Sequence, residues 1–274
     1  MRAAAVCELL PWDSDWFGVR IARVRGHRLT PARVQTILRW CRRQHIACLY
    51  FLAGSDDAGT IRLAEQAGFR CVDVRMTFER ELRAGSGARR ATGGITVRPA
   101  RPADLPGLRR IARTSHRDTR FFADPGFARP RAAGLYERWI ERSYQGAASS
   151  VLVAARRGRP LGYLTLRRDA GDVGRIELVG VEAAVRGQGI GSLLVQAGLA
   201  WCRRQRLERV RVVTQERNLS AQRLYQRHGF LAHEVRLSYH KWFTPLSASP
   251  KRMEAPVEVA VSGGTAPALA GVGT

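Results

Sequence analysis

The stretch Arg186-Gly187-Gln188-Gly189-Ile190-Gly191 follows a strand-like run, Ile176 to Val181, and opens a helical pattern that starts near Ser192. A strand, a glycine-rich turn and a helix together form a phosphate-binding arrangement. Glycine lets the backbone approach an anion, and the first turn of the helix offers unpaired N–H groups. No Lys-Ser or Lys-Thr closes the turn as in a P-loop, and the Gly-x-Gly-x-x-Gly spacing of dinucleotide sites is absent. The stretch therefore predicts a site for another phosphate-bearing ligand.

The composition is that of a soluble globular protein, with 274 residues of which 45% are hydrophobic. No run approaches the roughly 18 uninterrupted apolar residues that a membrane-spanning helix needs. The apolar stretch before Glu8 is too short for a secretory signal. We therefore expect a cytoplasmic protein without a membrane partner.

The chain is strongly basic, with 46 Lys+Arg against 23 Asp+Glu. Such a surface is compatible with a nucleic-acid-binding protein, which is the alternative outside the enzymes. The arginines are spread along the whole length, as a base-composition bias would place them, so nucleic acid is the less favoured partner. Five cysteines without Cys-x-x-Cys spacing indicate reduced and mostly buried thiols, and no metal site is predicted.

An internal repeat links two parts of the chain. Trp40-Cys41-Arg42-Arg43-Gln44 recurs as Trp201-Cys202-Arg203-Arg204-Gln205, an offset of 161. The same offset superposes Gly68-Phe69 on Gly229-Phe230 and Val74-Arg75 on Val235-Arg236. Because the register holds from the helix through the last strand, the sequence indicates a duplicated unit.

The first copy has lost the groups that would perform chemistry. At the same offset, Arg28 stands for Gly189 and Thr30 for Gly191, and a backbone that carries these side chains presents the N–H cradle poorly. Asp57 stands for Asn218 and Ala64 for Tyr225. We predict that the first copy is non-catalytic and packs against the second copy or shapes a substrate cleft.

The pattern along the chain predicts four segments: a small α/β unit at 1–82, a flexible linker at 83–94, a second domain at 95–243 and a disordered tail at 244–274. Strands are expected at Ile21 to Val24, Ala47 to Ala53, Cys71 to Glu79, Ile95 to Arg98, Val151 to Ala155, Leu161 to Leu166, Ile176 to Val181, Val210 to Thr214 and in a last run through Trp242. Helices are expected at Pro31 to Gln44, Thr60 to Ala67, Asp104 to Ser115, Ala132 to Tyr144, Ser192 to Arg206 and Ser220 to His228, with 116–131 irregular.

In its second part the chain resembles the GCN5-related N-acetyltransferases (GNAT), an α/β (α+β) fold with a mixed central sheet flanked by helices. The element order, the loop (Arg/Gln)-x-x-Gly-x-(Gly/Ala) and Tyr225 followed by His228-Gly229-Phe230 carry the resemblance. Ala183 departs from it, since many members have proline there. The shortened first copy would be a degenerate, smaller domain of the same fold.

The resemblance implies acetyl-CoA as co-substrate. The residues implied to bind it are Val179, Gly180, Val181, Arg186, Gly187, Gln188, Gly189, Ile190, Gly191, Ser192 and Asn218. Tyr225 is the implied catalytic acid for the leaving thiolate, with a packing aromatic as the alternative. Asn218 could instead cap a helix in competition with Ser220. Glu177 is either a general base that acts through water or a strand carboxylate that balances arginines.

A further resemblance concerns the acceptor. Pro11-Trp12-Asp13-Ser14-Asp15-Trp16-Phe17-Gly18 and the segment from Phe121 to Phe127 are similar to the TDP-fucosamine acetyltransferase family. This implies a primary amine on a dTDP-linked amino-dideoxy sugar, with Arg117, Arg120, Phe121 and Arg129 as candidate substrate contacts. A protein N-terminus or a small amine such as an antibiotic is the alternative acceptor. A homodimer is left open.

Overall fold

The computed structural model describes residues 5–82 and 94–243. The linker predicted at 83–94 lies outside these residues except for Gly94, and the tail predicted at 244–274 lies wholly outside them. We refer to residues 7–81 as the N-terminal half and to residues 95–242 as the C-terminal half.

The described residues form ten strands and eight α-helices. The strands are β1 Cys7–Leu9, β2 Ile21–Val24, β3 Cys48–Gly54, β4 Arg70–Glu81, β5 Ile95–Pro99, β6 Ser150–Arg156, β7 Arg159–Arg168, β8 Val173–Val181, β9 Arg209–Gln215 and β10 Leu231–Trp242. The helices are α1 Pro11–Phe17, α2 Pro31–Arg43, α3 Ala58–Gln66, α4 Leu105–Ser115, α5 Arg120–Ala123, α6 Arg129–Arg142, α7 Ile190–Arg204 and α8 Leu219–Arg227.

All ten strands belong to one sheet, in the order β1-β2-β3-β10-β4-β9-β8-β7-β6-β5. The pairs β2/β3 and β8/β9 are parallel and the remaining neighbours are antiparallel. The mixed central sheet flanked by helices, predicted from the sequence, is confirmed.

The last strand of each half completes the sheet of the other half. Strand β4 pairs with β9, where Arg75 faces Gln215, and β10 pairs with β3, where Arg236 faces Gly54. The second pairing repeats the first at an offset of 161 residues, because Arg75 corresponds to Arg236 and Gly54 corresponds to Gln215. Arg75 and Arg236 face each other at the centre, so an approximate two-fold axis passes between β4 and β10. The domain boundaries stay a prediction, and the structure adds that both halves contribute to one continuous sheet.

The repeat is visible in backbone angles as well as in sequence. The helix before each parallel strand ends at a residue with positive φ, His45 at 50° and its counterpart Arg206 at 57°. Gly68 and Gly229, which precede the last strands, have φ of 78° and 73°. Since residues other than glycine rarely adopt positive φ, the shared use of this conformation supports the duplication.

Three apolar clusters hold the layers together. Helices α1, α4 and α6 cover one face of the sheet, whereas α7 with α8 and α2 with α3 cover the opposite face in the two halves. The equivalent residues Cys41 and Cys202 are both fully buried, as predicted. Four of the five cysteines are buried and Cys71 is exposed.

Some elements differ from the prediction. β1 and α1 were not predicted, because they are short and α1 carries charged and aromatic residues without helical periodicity. The segment 116–131, predicted to be irregular, contains α5 and the start of α6. Helix α6 begins before Ala132 because Pro130 lies in its first turn, and α7 begins before Ser192 because Gly189 caps it in a left-handed conformation.

Candidate active site

A cleft opens where β8 and β9 diverge. The two strands are paired from Val173 and Arg209 to Ile176 and Val212, and beyond this point the pairing ends. Glu177 forms a β-bulge at the divergence, and the Thr165 hydroxyl accepts a hydrogen bond from the Leu178 N–H at 3.0 Å. The resulting cavity of about 650 Å³, here called the splay cleft, lies between the strands, α7 and α8.

The floor of the splay cleft is a run of free backbone donors. Among the described residues, the N–H groups from Gly187 to Ser192 have no protein acceptor, and the first N–H bond of α7 runs from Leu193 to the Gly189 carbonyl. Gly187 and Gly189 have φ of 79° and 78°, angles that turn successive N–H groups the same way. A Cβ on Gly191 would lie 3.2 Å from Leu224. The loop is therefore an anion cradle at a helix N-terminus.

Arginines surround this cradle. Arg186, Arg223 and Arg227 line the splay cleft, and Asp118 is its one carboxylate among the described residues. The Arg186 Nε also donates to the Val181 carbonyl at 3.3 Å, and the Ser115 hydroxyl lies 3.4 Å from the same oxygen. Free N–H groups and an excess of cations suit the phosphates of a coenzyme A molecule, so the residues present fit this group.

Tyr225 lies at the inner end of the splay cleft. Its ring is 5% exposed and packs against Phe78 and Phe230, with ring centroids 6.4 and 5.9 Å away. Within the described residues its hydroxyl has no protein hydrogen-bond partner, and burial raises its pKa well above the usual range. The phenol therefore keeps its proton at neutral pH and is able to donate it into the cleft.

Two polar residues of the splay cleft, Asn218 and Ser192, form hydrogen bonds at the starts of α8 and α7. Asn218 caps α8, since its side chain accepts from the Ala221 N–H at 3.1 Å and from the Ser220 hydroxyl at 3.0 Å. Asn218 also lines the splay cleft, so capping and ligand contact are compatible. Ser192, in the first turn of α7, is hydrogen-bonded to the His228 ring at 2.6 Å, which ties α7 to the end of α8.

A buried pair supports the diverging strand from the other side. His116 Nε2 lies 2.8 Å from the Tyr163 hydroxyl, and burial lowers the pKa of His116 to about 3, so the imidazole is neutral. The Tyr163 ring lies over Gly180, where an added Cβ would come within 2.6 Å of it. Gly180 is thus required by close packing. Together with Gln188, it is a predicted cofactor contact that does not line the splay cleft.

The predicted substrate contacts are not brought together. Arg117 and Arg129 are exposed and line neither cavity described here, whereas Phe121 is 1% exposed and belongs to the core. Arg120 lines a second cavity. Glu177 lies outside the splay cleft, 3.7 Å from Arg167, and burial raises the pKa of its carboxyl.

Several residues of the splay cleft were not singled out from the sequence. They are Ser115, His116, Asp118, Thr119, Val185, Val213, Thr214, Gln215, Ala221, Arg223, Leu224 and Arg227. The end of α4 and the strand β9 reach the cleft only through the fold, and their residues form no local motif. The one available signal was Arg223, which lies two residues before Tyr225 on α8.

Comparison with known proteins identifies the family. Residues 110–230 match the family model described as acetyltransferase (GNAT) family. The chain contains a GNAT acetyltransferase domain. The family uses acetyl-CoA, which agrees with the cradle at the start of α7.

The acetyltransferase has relatives among curated proteins. The dTDP-fucosamine acetyltransferase of Escherichia coli O6:H1 is 28% identical over 232 residues, 84% of this chain and 95% of that protein. The spore coat polysaccharide biosynthesis protein SpsD of Bacillus subtilis is 32% identical over 145 residues, so the match spans 53% of this chain and half of that protein. The mycothiol acetyltransferase of Salinispora tropica is 30% identical over 194 residues, 68% of this chain and 61% of that protein.

Solved structures share the fold of the acetyltransferase. A GCN5-related N-acetyltransferase from Sphaerobacter thermophilus has a TM-score of 0.64 at 22% identity over 87% of this chain and 76% of that chain. A tandem GNAT protein from the clavulanic acid biosynthesis pathway has a TM-score of 0.61 at 15% identity, covering 83% of this chain and 77% of that chain. The predicted fold class is thereby confirmed.

The described residues contain neither a candidate membrane-spanning helix nor a candidate metal site. None of the described helices has the length and apolar character required to cross a membrane. Among residues 5–82 and 94–243, no group of three or more His, Cys, Asp or Glu is arranged to hold a metal ion.

Proposed function

We propose that this acetyltransferase transfers the acetyl group of acetyl-CoA to the 4-amino group of a dTDP-linked amino-dideoxy sugar, directly and within a ternary complex. The observation that carries the proposal is the splay cleft, in which the free N–H groups from Gly187 to Ser192 and the buried hydroxyl of Tyr225 open into one cavity. The match along 95% of a dTDP-fucosamine acetyltransferase supports the choice of acceptor. A cytoplasmic location stays a prediction.

In the proposed reaction, each group of the cleft has one task. The cradle and Arg186 hold the phosphates of the co-substrate, and Asn218 orients it beside α8. The part of β8 that no longer pairs with β9, from Val179 to Val181, offers backbone groups to the pantetheine arm and to the thioester carbonyl. Acetyl-CoA supplies the activated acetyl group.

Proton movements follow from the ionisation of the residues. The amine nitrogen forms a bond to the acetyl carbon while the C–S bond breaks, and Tyr225 gives its phenolic proton to the departing sulfur. The amine must lose a proton as it reacts. Glu177 is the proposed acceptor of that proton through water, because burial raises its pKa toward the range of a general base.

A different small-molecule amine is the second candidate acceptor. The mycothiol acetyltransferase of Salinispora tropica matches 68% of this chain, which favours this alternative over a protein N-terminus.

The test is turnover of acetyl-CoA, read as free thiol release, against dTDP-amino sugars, peptides and aminoglycosides. We expect stimulation by a dTDP-4-amino sugar and product mass increased by one acetyl group. If only peptides or aminoglycosides stimulate release, the acceptor assignment is wrong and the acetyltransferase activity stands. If no amine stimulates release, the catalytic account fails.

A further inference from the structure

A second cavity lies on the sheet face that carries α1, α5 and α6. Its volume is about 590 Å³, it is lined by strands of both halves, and it shares no lining residue with the splay cleft. Seven arginines and two carboxylates, Glu8 and Asp169, line it. We call it the arginine cavity.

The duplication itself concentrates these charges. Arg75 and Arg236 are equivalent residues that face each other across the approximate two-fold axis, and both line the arginine cavity. Arg23 and Arg175 are a second equivalent pair, since Arg23 pairs with Tyr50 as Arg175 pairs with Arg211. The symmetry thus brings four like charges together, and such a concentration needs anionic partners. Arg23 is paired with Glu8, and Arg175 and Arg236 also have carboxylate partners, so that Arg75 is the one of the four without such a partner among the described residues.

Arg75 is the least compensated of these cations. Within the described residues its guanidinium has neither an ion pair nor a hydrogen bond. Burial, together with the nearby charges of Arg120, Arg175 and Arg236, lowers its pKa to about 10. By contrast, Arg236 lies 2.5 Å from Glu234 and Arg175 lies 2.5 Å from Asp169. A half-buried, unpaired guanidinium in a cavity is a binding group for an anion.

Two further groups in the wall have unused hydrogen-bonding capacity. The Arg120 guanidinium lies over the Tyr50 and Phe121 rings at 4.8 and 4.7 Å, and its Nε is buried without a partner. His240, 2% exposed, binds Asp124 through Nδ1 at 2.6 Å, and its Nε2 is buried without a partner. Both residues line the cavity, and each carries a buried nitrogen without a hydrogen-bond partner among the described residues.

The arginine cavity adjoins the site of acetyl transfer. Arg75 pairs along the sheet with Gln215, which lines the splay cleft. Arg167, which lines the arginine cavity, forms the ion pair with Glu177 at the bulge where β8 leaves β9. The arginine cavity and the splay cleft therefore have lining residues on neighbouring strands at that divergence.

We propose that the arginine cavity binds the diphosphate of the acceptor, so that the acceptor is a nucleoside-diphosphate-linked amine, with Arg75 and Arg120 as the principal phosphate contacts. This inference rests on the proposed function for the identity of the ligand. A diphosphate carries two anionic groups, and Arg75 and Arg120 are the two arginines of the cavity that form no ion pair with a carboxylate of the described residues. Each guanidinium is able to hold one phosphate through two parallel hydrogen bonds.

The test is calorimetric titration of dTDP into the full chain saturated with CoA. We expect one dTDP site that persists in the presence of CoA, and a loss of about tenfold or more in affinity for Arg75→Gln and for Arg120→Gln, since charged bidentate hydrogen bonds are the strong ones. Arg75→Lys should lose less. Arg43→Gln, an exposed arginine outside both cavities, is the matched control and should leave dTDP affinity unchanged.

The outcomes separate this proposal from the proposed function. Competition of dTDP with CoA, or unchanged dTDP affinity in both glutamine variants, overturns the proposal even if a dTDP-amino sugar is acetylated. Inorganic pyrophosphate should displace dTDP and thymidine should not, and the reverse result also overturns it. Arginine-dependent dTDP binding without any acetyl transfer supports the cavity and rejects the proposed reaction. If Arg75→Gln fails to bind CoA, and so is misfolded, Arg120→Gln decides the test.

Discussion

In the C-terminal half, β8 continues for five residues beyond its last pair with β9, and these residues form one wall of the splay cleft. In the N-terminal half, β2 ends at Val24, one residue after its last pair with β3. Ile21 corresponds to Val173 at an offset of 152, whereas all later equivalent residues are offset by 161. The N-terminal half therefore lacks nine residues at the place where the C-terminal half builds its site.

In the N-terminal half, a side chain accepts a hydrogen bond from one N–H group of the corresponding loop, and another side chain caps the helix that follows. The Thr60 hydroxyl accepts from the Leu29 N–H at 2.9 Å, and Thr30 accepts from the Arg33 N–H at 3.2 Å. The His27 ring bonds the Leu52 carbonyl at 2.9 Å, between β2 and β3. At Leu29, a side-chain oxygen thus takes the place that a phosphate oxygen is proposed to take at the equivalent Ile190. A loop can lose its ligand without losing its fold if its own side chains replace the ligand atoms.

The largest expected effect comes from separating the halves. Residues 1–82 and 94–274, expressed alone, should each fail to give a soluble folded monomer, because β9 and β3 would each lose the strand that covers their edge. Co-expression should restore a complex that co-purifies and binds CoA. A folded monomer of 94–274 with native CoA affinity would show that the exchange of β4 and β10 is dispensable.

The second-largest effect is expected from removal of the Tyr225 hydroxyl, which has no counterpart in the N-terminal half because Ala64 stands at the equivalent position. Tyr225→Phe should lower kcat by about a hundredfold or more and leave CoA affinity within about twofold, since loss of a general acid typically costs 10² to 10⁴ in rate. Steady-state kinetics and calorimetry measure the two quantities. Tyr144→Phe, outside the cleft, is the control. Unchanged kcat in Tyr225→Phe would assign the ring to packing alone.

A smaller effect is expected when one half is given the loop residue of the other. Gly189→Arg, which introduces the residue found at position 28, should weaken CoA binding by about tenfold, because a left-handed conformation costs a non-glycine residue about 1–2 kcal/mol. The reciprocal change Arg28→Gly should leave CoA affinity unaltered. Equal CoA affinity of wild type and Gly189→Arg would show that the cradle is not part of the CoA-binding site.

The smallest effect concerns pH. Burial raises the pKa of Asp13, in the N-terminal half, to about 6, whereas the hydrogen bonds and charge of Arg98 hold the pKa of Asp104, in the C-terminal half, below its usual range. The stability contributed by Asp13 is present below about pH 4 and is lost as the pH rises through about 6. The contribution of Asp104 is present above about pH 4 and is lost at lower pH.

Opposite pH profiles are therefore expected for the two amide variants. Relative to wild type, Asp13→Asn should gain about 1–3 kcal/mol of unfolding free energy between pH 4 and pH 8, since one pKa unit corresponds to about 1.4 kcal/mol. The unfolding free energy of Asp104→Asn should fall relative to that of wild type as the pH rises from 3 to 6. Urea unfolding at several pH values measures both, and parallel profiles would contradict the assigned ionisation states.

The sequence was sufficient to predict the duplicated elements and the cradle, because both depend on the local spacing of residues. It did not reveal the shortened strand, since Ile21–Val24 shares one identical residue with Val173–Val181 at an offset of 152, Arg23 with Arg175. Nor did it reveal the exchange of last strands. Val74-Arg75 and Val235-Arg236 are the same pattern, so either strand suits either neighbour.

The sequence did not predict the arginine cavity either, for a related reason. Arg23, Arg75, Arg175 and Arg236 are far apart in a chain that is rich in arginine throughout. Only the sheet order brings them to one face. Conversely, Phe121 was predicted to contact substrate, but it packs against Phe17 and Phe127 in the core, because an aromatic beside arginines has the same local pattern in both roles.

The exchange of last strands also orders events during synthesis. Strand β4 leaves the ribosome before any strand of the C-terminal half and pairs later with β9, whereas β3 must wait for β10, whose Arg236 lies 182 residues beyond Gly54. Contacts between residues that are so far apart in sequence form late, and they lower the folding rate. During translation, the N-terminal half therefore keeps an open sheet edge until β10 has been synthesised, and it is in this interval that a chaperone would be needed.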